Sequence, residues 1–380
     1  LADRNWVFDI KENSMQYRPV DSIAKYKLAI CAVVTSLICA PLMPASLLAQ
    51  DRLHVVTTLP TYAAIARELT GDLAQVEAIA RGDEDPHFVN PRPSFAAKVQ
   101  SADVFVATGL DLELWAPAVL NRANNPKVIE GGPGNVVAYS GITLLDVPQT
   151  TSRASGDVHA FGNPHIHTDP INAIIIARNI LRTLRTVDPA NAATYAANAD
   201  DFEDRVLRRL FGDQLVDILG SDALLQLARE YKFWEFAQAQ SYQGRPLTDY
   251  LGGWLAEAAP FRDRRMACYH KNWAYFSARF RVECAIYVEP RPGIPPTPSQ
   301  IRNVIEVMRD ESIPVIFAAN YFSHAQIERV ASRTNARAVI APEHVAGVDG
   351  VETYFDLVDT WVSSLATAFL AVDRRRDHPE

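Results

Sequence analysis

Nine histidines punctuate the chain, and three of them share a setting. His87 follows Glu84-Asp85-Pro86, His165 follows Asn163-Pro164, and His270 follows Cys268-Tyr269. Each stands just after a strand-like run or in a loop beside Pro or Asp. Taken singly, each is an ordinary loop histidine holding a hydrogen bond; three in like settings form a candidate set. Imidazole nitrogen suits Zn²⁺, and three imidazoles with one carboxylate make a closed tetrahedral site. Mn²⁺ favours oxygen-rich sites of higher coordination, so three imidazoles favour zinc over manganese. The acidic run Asp83-Glu84-Asp85 beside His87 adds a potential that attracts cations, unless it is only a solvated turn. The stretch GNPHIHTDP, residues 162–170, holds two histidines. On an extended segment His167 faces away from His165, which makes His165 the ligand and leaves His167 to orient the loop or hydrogen-bond behind it.

Other chemistries are poorly supplied. The sequence has no H-E-x-x-H helix for a zinc hydrolase, no G-x-S-x-G elbow for a serine hydrolase and no C-x-x-C pair for a cysteine zinc site. A net charge of −8 with no basic stripe argues against nucleic acid as a partner.

The elements that must position these side chains alternate between strand and helix. Leu53–Thr58, Val76–Ile79 and Val104–Ala107 read as strands, with helices over Tyr62–Leu69 and Phe95–Gln100 between them. Val136-Val137 and Ile142–Leu145 are further strand candidates. Beyond Asp169-Pro170 comes an apolar helix over Ile171–Leu184. Asp188-Pro189 then starts a second helix, which runs with few breakers to about Ile218. The strand–helix theme resumes with Met266–Tyr269, Cys284–Val288, Val315–Ala318 and Ala338–Ile340 as strands, and Tyr354–Val372 closes the chain as a helix. Alternation of this kind predicts parallel sheets covered on both faces, whose strand ends form the rim where ligands bind. The expectation is two α/β lobes with mainly parallel sheets, joined by one long rigid helix, with the ligand in the inter-lobe cleft. The boundaries are residues 50–187 for the first lobe, 188–220 for the link and 221–380 for the second lobe. Residues 1–49 are an N-terminal extension and signal peptide: Lys25 and Lys27 precede the apolar run Leu28–Ala40, and small residues lead to cleavage after Ala49. The mature chain then keeps only Cys268 and Cys284, which an oxidising compartment permits to pair if geometry allows.

In this order and spacing the chain from about 53 to 372 resembles the metal-binding receptors of bacterial ABC importers, the zinc- and manganese-uptake solute-binding proteins. The residues that carry the resemblance are Asp85-Pro86-His87 with Pro91–Ser94, Ser101–Val104 with Gly109–Trp115, and Gly162–Pro170. They continue through Tyr269–Phe276, Glu289–Ile294 and Pro314–Phe322. The resemblance implies a periplasmic receptor, a monomer and not an enzyme. It would capture Zn²⁺, with Mn²⁺ as the alternative, and deliver it to an ABC importer membrane permease, with a periplasmic zinc metallochaperone as a further partner. It places metal ligands at His87, His165 and His270. The fourth, a carboxylate after the last strand, falls on Glu343, with His344 and Asp349 as neighbours. Two departures stand out. Family members often carry an aromatic residue where His167 stands. Zinc members often carry a long His- and acid-rich loop where this chain has the short Thr150–Gly162, with only Asp157 and His159, the latter able to hand metal inward transiently. A zinc hydrolase and an adhesin of the same fold are the competing readings.

Overall fold

The computed structural model describes residues 52–148, 159–290 and 293–377. The expected signal peptide and its cleavage after Ala49 lie outside the described residues, as does Asp157.

In the first lobe, strands β1 (Leu53–Thr57), β2 (Ala74–Ala78), β3 (Val104–Ala107) and β4 (Asn135–Val137) form a parallel sheet in the order β2-β1-β3-β4. Val55, Val56, Val104, Phe105 and Val106 are fully buried, as expected for strands covered on both faces. Helices α1 (Pro60–Thr70), α2 (Pro93–Gln100), α3 (Ala116–Ala123) and α4 (Pro170–Val187) cover the sheet. Proline opens each of α1, α2 and α4, where its missing N–H has no helical partner to lose. Asp169 caps α4 by accepting the Ile171 N–H at 2.9 Å, which ties the start of the helix to the loop carrying His165. No strand forms at Ile142–Leu145.

The linking helix is α5 (Ala192–Phe211), which packs on α1 and α4 of the first lobe and on α9 (Gly253–Glu257) of the second. It is shorter than its sequence suggests. Gly212 ends it by turning to φ +85°, and a Cβ there would lie 2.5 Å from Gly252 Cα, so only glycine fits. Twenty residues at about 1.5 Å each still give about 30 Å, enough to lie across both lobes. Three short helices follow, α6 (Asp213–Leu219), α7 (Ser221–Arg229) and α8 (Phe233–Ala239), and then a two-stranded antiparallel hairpin of β5 (Ser241–Tyr242) and β6 (Arg245–Pro246).

The second lobe repeats the first sheet's plan. Strands β7 (Arg264–Cys268), β8 (Val282–Tyr287), β9 (Val315–Ala319) and β10 (Arg337–Ala341) form a parallel sheet in the order β10-β9-β7-β8. Every residue of the central β9 is buried. Helices α10 (Ala274–Phe280), α11 (Pro298–Asp310), α12 (His324–Thr334) and α13 (Tyr354–Asp377) surround it. Helix α13 is long and apolar enough to cross a membrane by length and composition. It is instead a core helix, its buried stripe Leu357, Val358, Trp361, Val362, Leu365 and Phe369 packed against the sheet. A disulfide joins Cys268 at the end of β7 to Cys284 on β8.

The lobes meet along a polar seam. Asn163 donates to the Lys271 carbonyl at 2.8 Å, and Tyr275 donates to the Asn163 carbonyl at 2.7 Å. Below them Arg279 of α10 grips Asp169 through two hydrogen bonds of 2.8 Å, both side chains almost wholly buried.

Candidate metal centre

Each lobe delivers its histidines from the carboxyl ends of strands or from the loop leading into α4. His87 sits in a 3-10 turn, Pro86–Phe88, beyond β2; His165 precedes a second such turn, Ile166–Thr168; His270 follows β7. Glu343 and His344 follow β10.

Of the three expected ligand histidines, His87 and His165 meet with a nitrogen each within 4.8 Å, while His270 lies beside them outside that group. The His165 ring centroid is 5.2 Å from that of His87 and 6.2 Å from that of His270, and His87 to His270 is 6.2 Å. What the far nitrogen of each ring does decides which nitrogen faces the others. His87 Nδ1 donates to Asp85 Oδ1 at 2.8 Å, and the same oxygen accepts the His87 backbone N–H at 3.0 Å. His165 Nδ1 donates to Glu343 Oε1 at 2.7 Å. His270 Nδ1 donates to the Glu289 carbonyl at 2.7 Å. A carboxylate or a carbonyl has no proton to give, so each ring donates from Nδ1, which leaves Nε2 as the atom open to another partner. The Nε2 atoms of His165 and His270 are buried without a hydrogen-bond partner among the described residues. Burial, the largest influence, lowers the His270 pKa to about 4, so its ring is neutral and able to donate a lone pair at ordinary pH.

His159 joins this group, where the sequence suggests only a transient role for it. Its Nε2 is 3.2 Å from His87 Nε2, and one nitrogen each of His87, His159 and His165 lies within 4.8 Å of the others. Glu343 takes a different place from a ligand beside His87. Its Oε1 holds the far side of His165, while Oε2 accepts from Asn272 at 2.7 Å and from the Tyr321 hydroxyl. Burial alone would raise the Glu343 carboxyl, but the adjoining His165, His344 and His167 imidazoles outweigh it and hold it well below the usual carboxylate range. Asp349, the third candidate for the fourth ligand, belongs to neither cluster of potential ligands among the described residues.

His167 faces away from the His87 cluster, as expected, but not for the expected reason. The 3-10 turn, rather than extended backbone, carries its ring into the protein, where it stacks on His344 at 4.6 Å between centroids. Its Nε2 is 3.5 Å from Glu343 Oε1.

Phe88, next to His87 and about half exposed, lies against Gly293 of the second lobe; a Cβ there would come within 2.3 Å of the ring. Gly293, at φ +68°, therefore has both a steric and a backbone reason to lack a side chain.

Comparison with known proteins gives a consistent result. The family model described as "Zinc-uptake complex component A periplasmic" (ZnuA) matches residues 55–209 and 238–368. The iron-binding protein YfeA of Yersinia pestis is 27% identical over 331 residues, covering 84% of this chain and 86% of YfeA. The high-affinity zinc uptake system protein ZnuA of Paracoccus denitrificans is 23% identical over 349 residues, covering 82% and 90%. The manganese ABC transporter substrate-binding lipoprotein PsaA of Streptococcus pneumoniae is 23% identical over 290 residues, covering 75% and 77%. Among solved structures, the Mn-bound periplasmic metal-binding protein from Candidatus Liberibacter asiaticus superposes with a TM-score of 0.58 at 20% identity, over 84% of this chain and all of that one. A zinc-bound ZnuA deletion mutant gives 0.60 at 20% identity, over 84% and 98%. These likenesses bear out the two-lobed fold.

Proposed function

The chain belongs to the ZnuA family of substrate-binding proteins that serve metal ABC importers, not enzymes. From that premise we propose that it captures one Zn²⁺ in the periplasm, as a monomer released from its signal peptide after Ala49. It delivers the ion to an ABC permease and receives zinc in turn from a periplasmic metallochaperone. Residues 50–187 and 221–380 act as the two lobes, with 188–220 as the link.

The observation that carries the zinc reading is the set of three imidazoles, each held at Nδ1 by an oxygen acceptor so that Nε2 is left for one shared ion. Relatives are named for iron, manganese and zinc, so donor chemistry must choose. Nitrogen donors without a directly facing carboxylate suit Zn²⁺ and serve Mn²⁺ badly. His87, His165 and His270 hold the ion in this reading, and His159 closes the tetrahedron from the loop before Gly162. Glu343, the expected fourth ligand, acts through His165, orienting the ring and raising its basicity. Permease docking between two lobes then frees the ion by parting His270 from the other three.

Competition titration of the full chain with Zn²⁺ and Mn²⁺ against a chelator tests this. Zinc should bind at least about 100-fold more tightly, and His87→Ala and His270→Ala should each weaken it by a comparable factor. Tighter binding of Mn²⁺, or zinc affinity unmoved by both substitutions, overturns the assignment.

A further inference from the structure

Behind the proposed zinc site lies a second group of ligand-type side chains, two of which, His167 and His344, the capture reading does not use. One donor atom each of His167, Glu343 and His344 lies within 4.8 Å of the other two, and all three residues are fully buried. Both ring nitrogens of His167 and the Nε2 of His344 have no hydrogen-bond partner among the described residues. An unsatisfied buried polar atom costs about 1–3 kcal/mol, so partnerless nitrogens on two rings beside one carboxylate call for a ligand.

Of the Glu343 carboxylate, Oε2 accepts from Asn272 and Tyr321 and Oε1 from His165, and Oε1 also lies 3.5 Å from His167 Nε2. The surroundings hold the rings in place: Thr61 Oγ1 meets His344 Nδ1 at 3.2 Å, and the Tyr354 hydroxyl donates to the His167 carbonyl at 3.0 Å.

We propose that His167, Glu343 and His344 form a second, inner site for a divalent cation of the Zn²⁺ class, sharing the Glu343 carboxylate with the outer site through His165. Two nitrogens and one carboxylate oxygen are a zinc-type donor set, and a water supplies the fourth position. Closing on an ion at about 2.0–2.2 Å draws the donors together by about 1 Å, within reach of side-chain rotation. Two dications on either side of one carboxylate–imidazole pair repel each other, so the second ion enters at higher zinc, and the inner site, with one position left to water, is the weaker of the two. The outer assignment enters this inference only through the shared carboxylate, and the two are tested apart.

Native mass spectrometry of the untagged full chain during Zn²⁺ titration should show two ions bound in successive steps. Replacing both inner rings, His167→Phe with His344→Leu, should remove the second step and keep the first. Replacing His87 and His270 by Ala should instead remove the first and leave one ion bound. Zinc-edge anomalous diffraction from zinc-soaked crystals of the unaltered protein needs no variant to fold, and should place a peak within bonding distance of His167, Glu343 and His344. Saturation at one ion per chain with no inner peak, or two ions retained by the double-ring variant, overturns the proposal. A first step that survives loss of His87 and His270 refutes the outer assignment alone, since the second step and the inner peak decide this one.

Discussion

Each imidazole of the proposed outer site is aimed by whatever holds its far nitrogen, and the three holders differ in kind. Asp85 is local, two residues from His87, and doubles as the cap of its turn. The Glu289 carbonyl is backbone and insensitive to substitution. Glu343 is 178 positions from His165 and comes from the other lobe. Loss of an orienting partner typically weakens metal binding by about 10–100-fold, and loss of a ligand weakens it further. Asp85→Ala and Glu343→Gln should therefore each reduce zinc affinity within that range, while His159→Ala should reduce it more. Chelator competition separates these, and a Glu343→Gln defect larger than that of His159→Ala would make the carboxylate the direct ligand. The three rim histidines were legible in sequence because loops beside Pro and Asp advertise themselves. The bearing of Glu343 was not, because a single side-chain torsion decides whether a carboxylate faces an ion or the back of a histidine.

At the level of elements, periodicity located the strands of both sheets, since parallel strands buried on both faces leave compact apolar runs between turns. It failed where one residue or one turn decides. Gly212 sits in a stretch with helical composition throughout, and only its approach to Gly252, forty positions away, requires the break. Likewise the 3-10 turn at Ile166–Thr168 redirects His167 inward, and no dipeptide signal marks it. The pairing of Cys268 with Cys284 was permitted by sequence but needed adjacent strands to be realised. It ties β7, which carries His270 two residues beyond the cysteine, to its edge neighbour β8. A loop of this size contributes about 3 kcal/mol by restricting the unfolded chain. Cys268→Ser with Cys284→Ser should lower the unfolding free energy by about that amount in denaturant titrations, and reductant should reproduce the loss in the unaltered chain but have no effect on the variant. Equal midpoints for variant and parent would show that the bond adds nothing to stability.

Across the whole molecule, the cleft stores neutral histidines in its interior, and this couples metal chemistry to folding. His270 and His344 both have pKa values of about 4 when folded, because burial disfavours their charged forms, against about 6.5 in an unfolded chain. Between those values the unfolded chain binds protons that the folded one refuses. Their contribution to stability is therefore whole above about pH 6.5 and declines as pH falls toward about 4. The Glu343 carboxylate, held low, adds a loss of the same sign at still lower pH. Opposing this is the buried Arg279–Asp169 pair between the lobes, whose arginine is held charged by its partner and does not titrate in that window. The metal-free chain should thus lose thermal stability steadily from about pH 7 to about pH 4.5 while its lobes stay fastened at the seam. Burial holds the His167 pKa below its ordinary value as well, so replacing His344 with Leu removes one of three such rings, and the slope of Tm against pH should flatten without a change in its direction. On the proposed zinc assignment, added Zn²⁺ should raise Tm near pH 7 by an amount that grows with its concentration, since a ligand that prefers the folded chain stabilises it. Calorimetric scans across this range check the argument. A metal-free Tm that is level over that window, or a slope unchanged by the His344→Leu substitution, would mean that the buried rings are not held neutral by the fold.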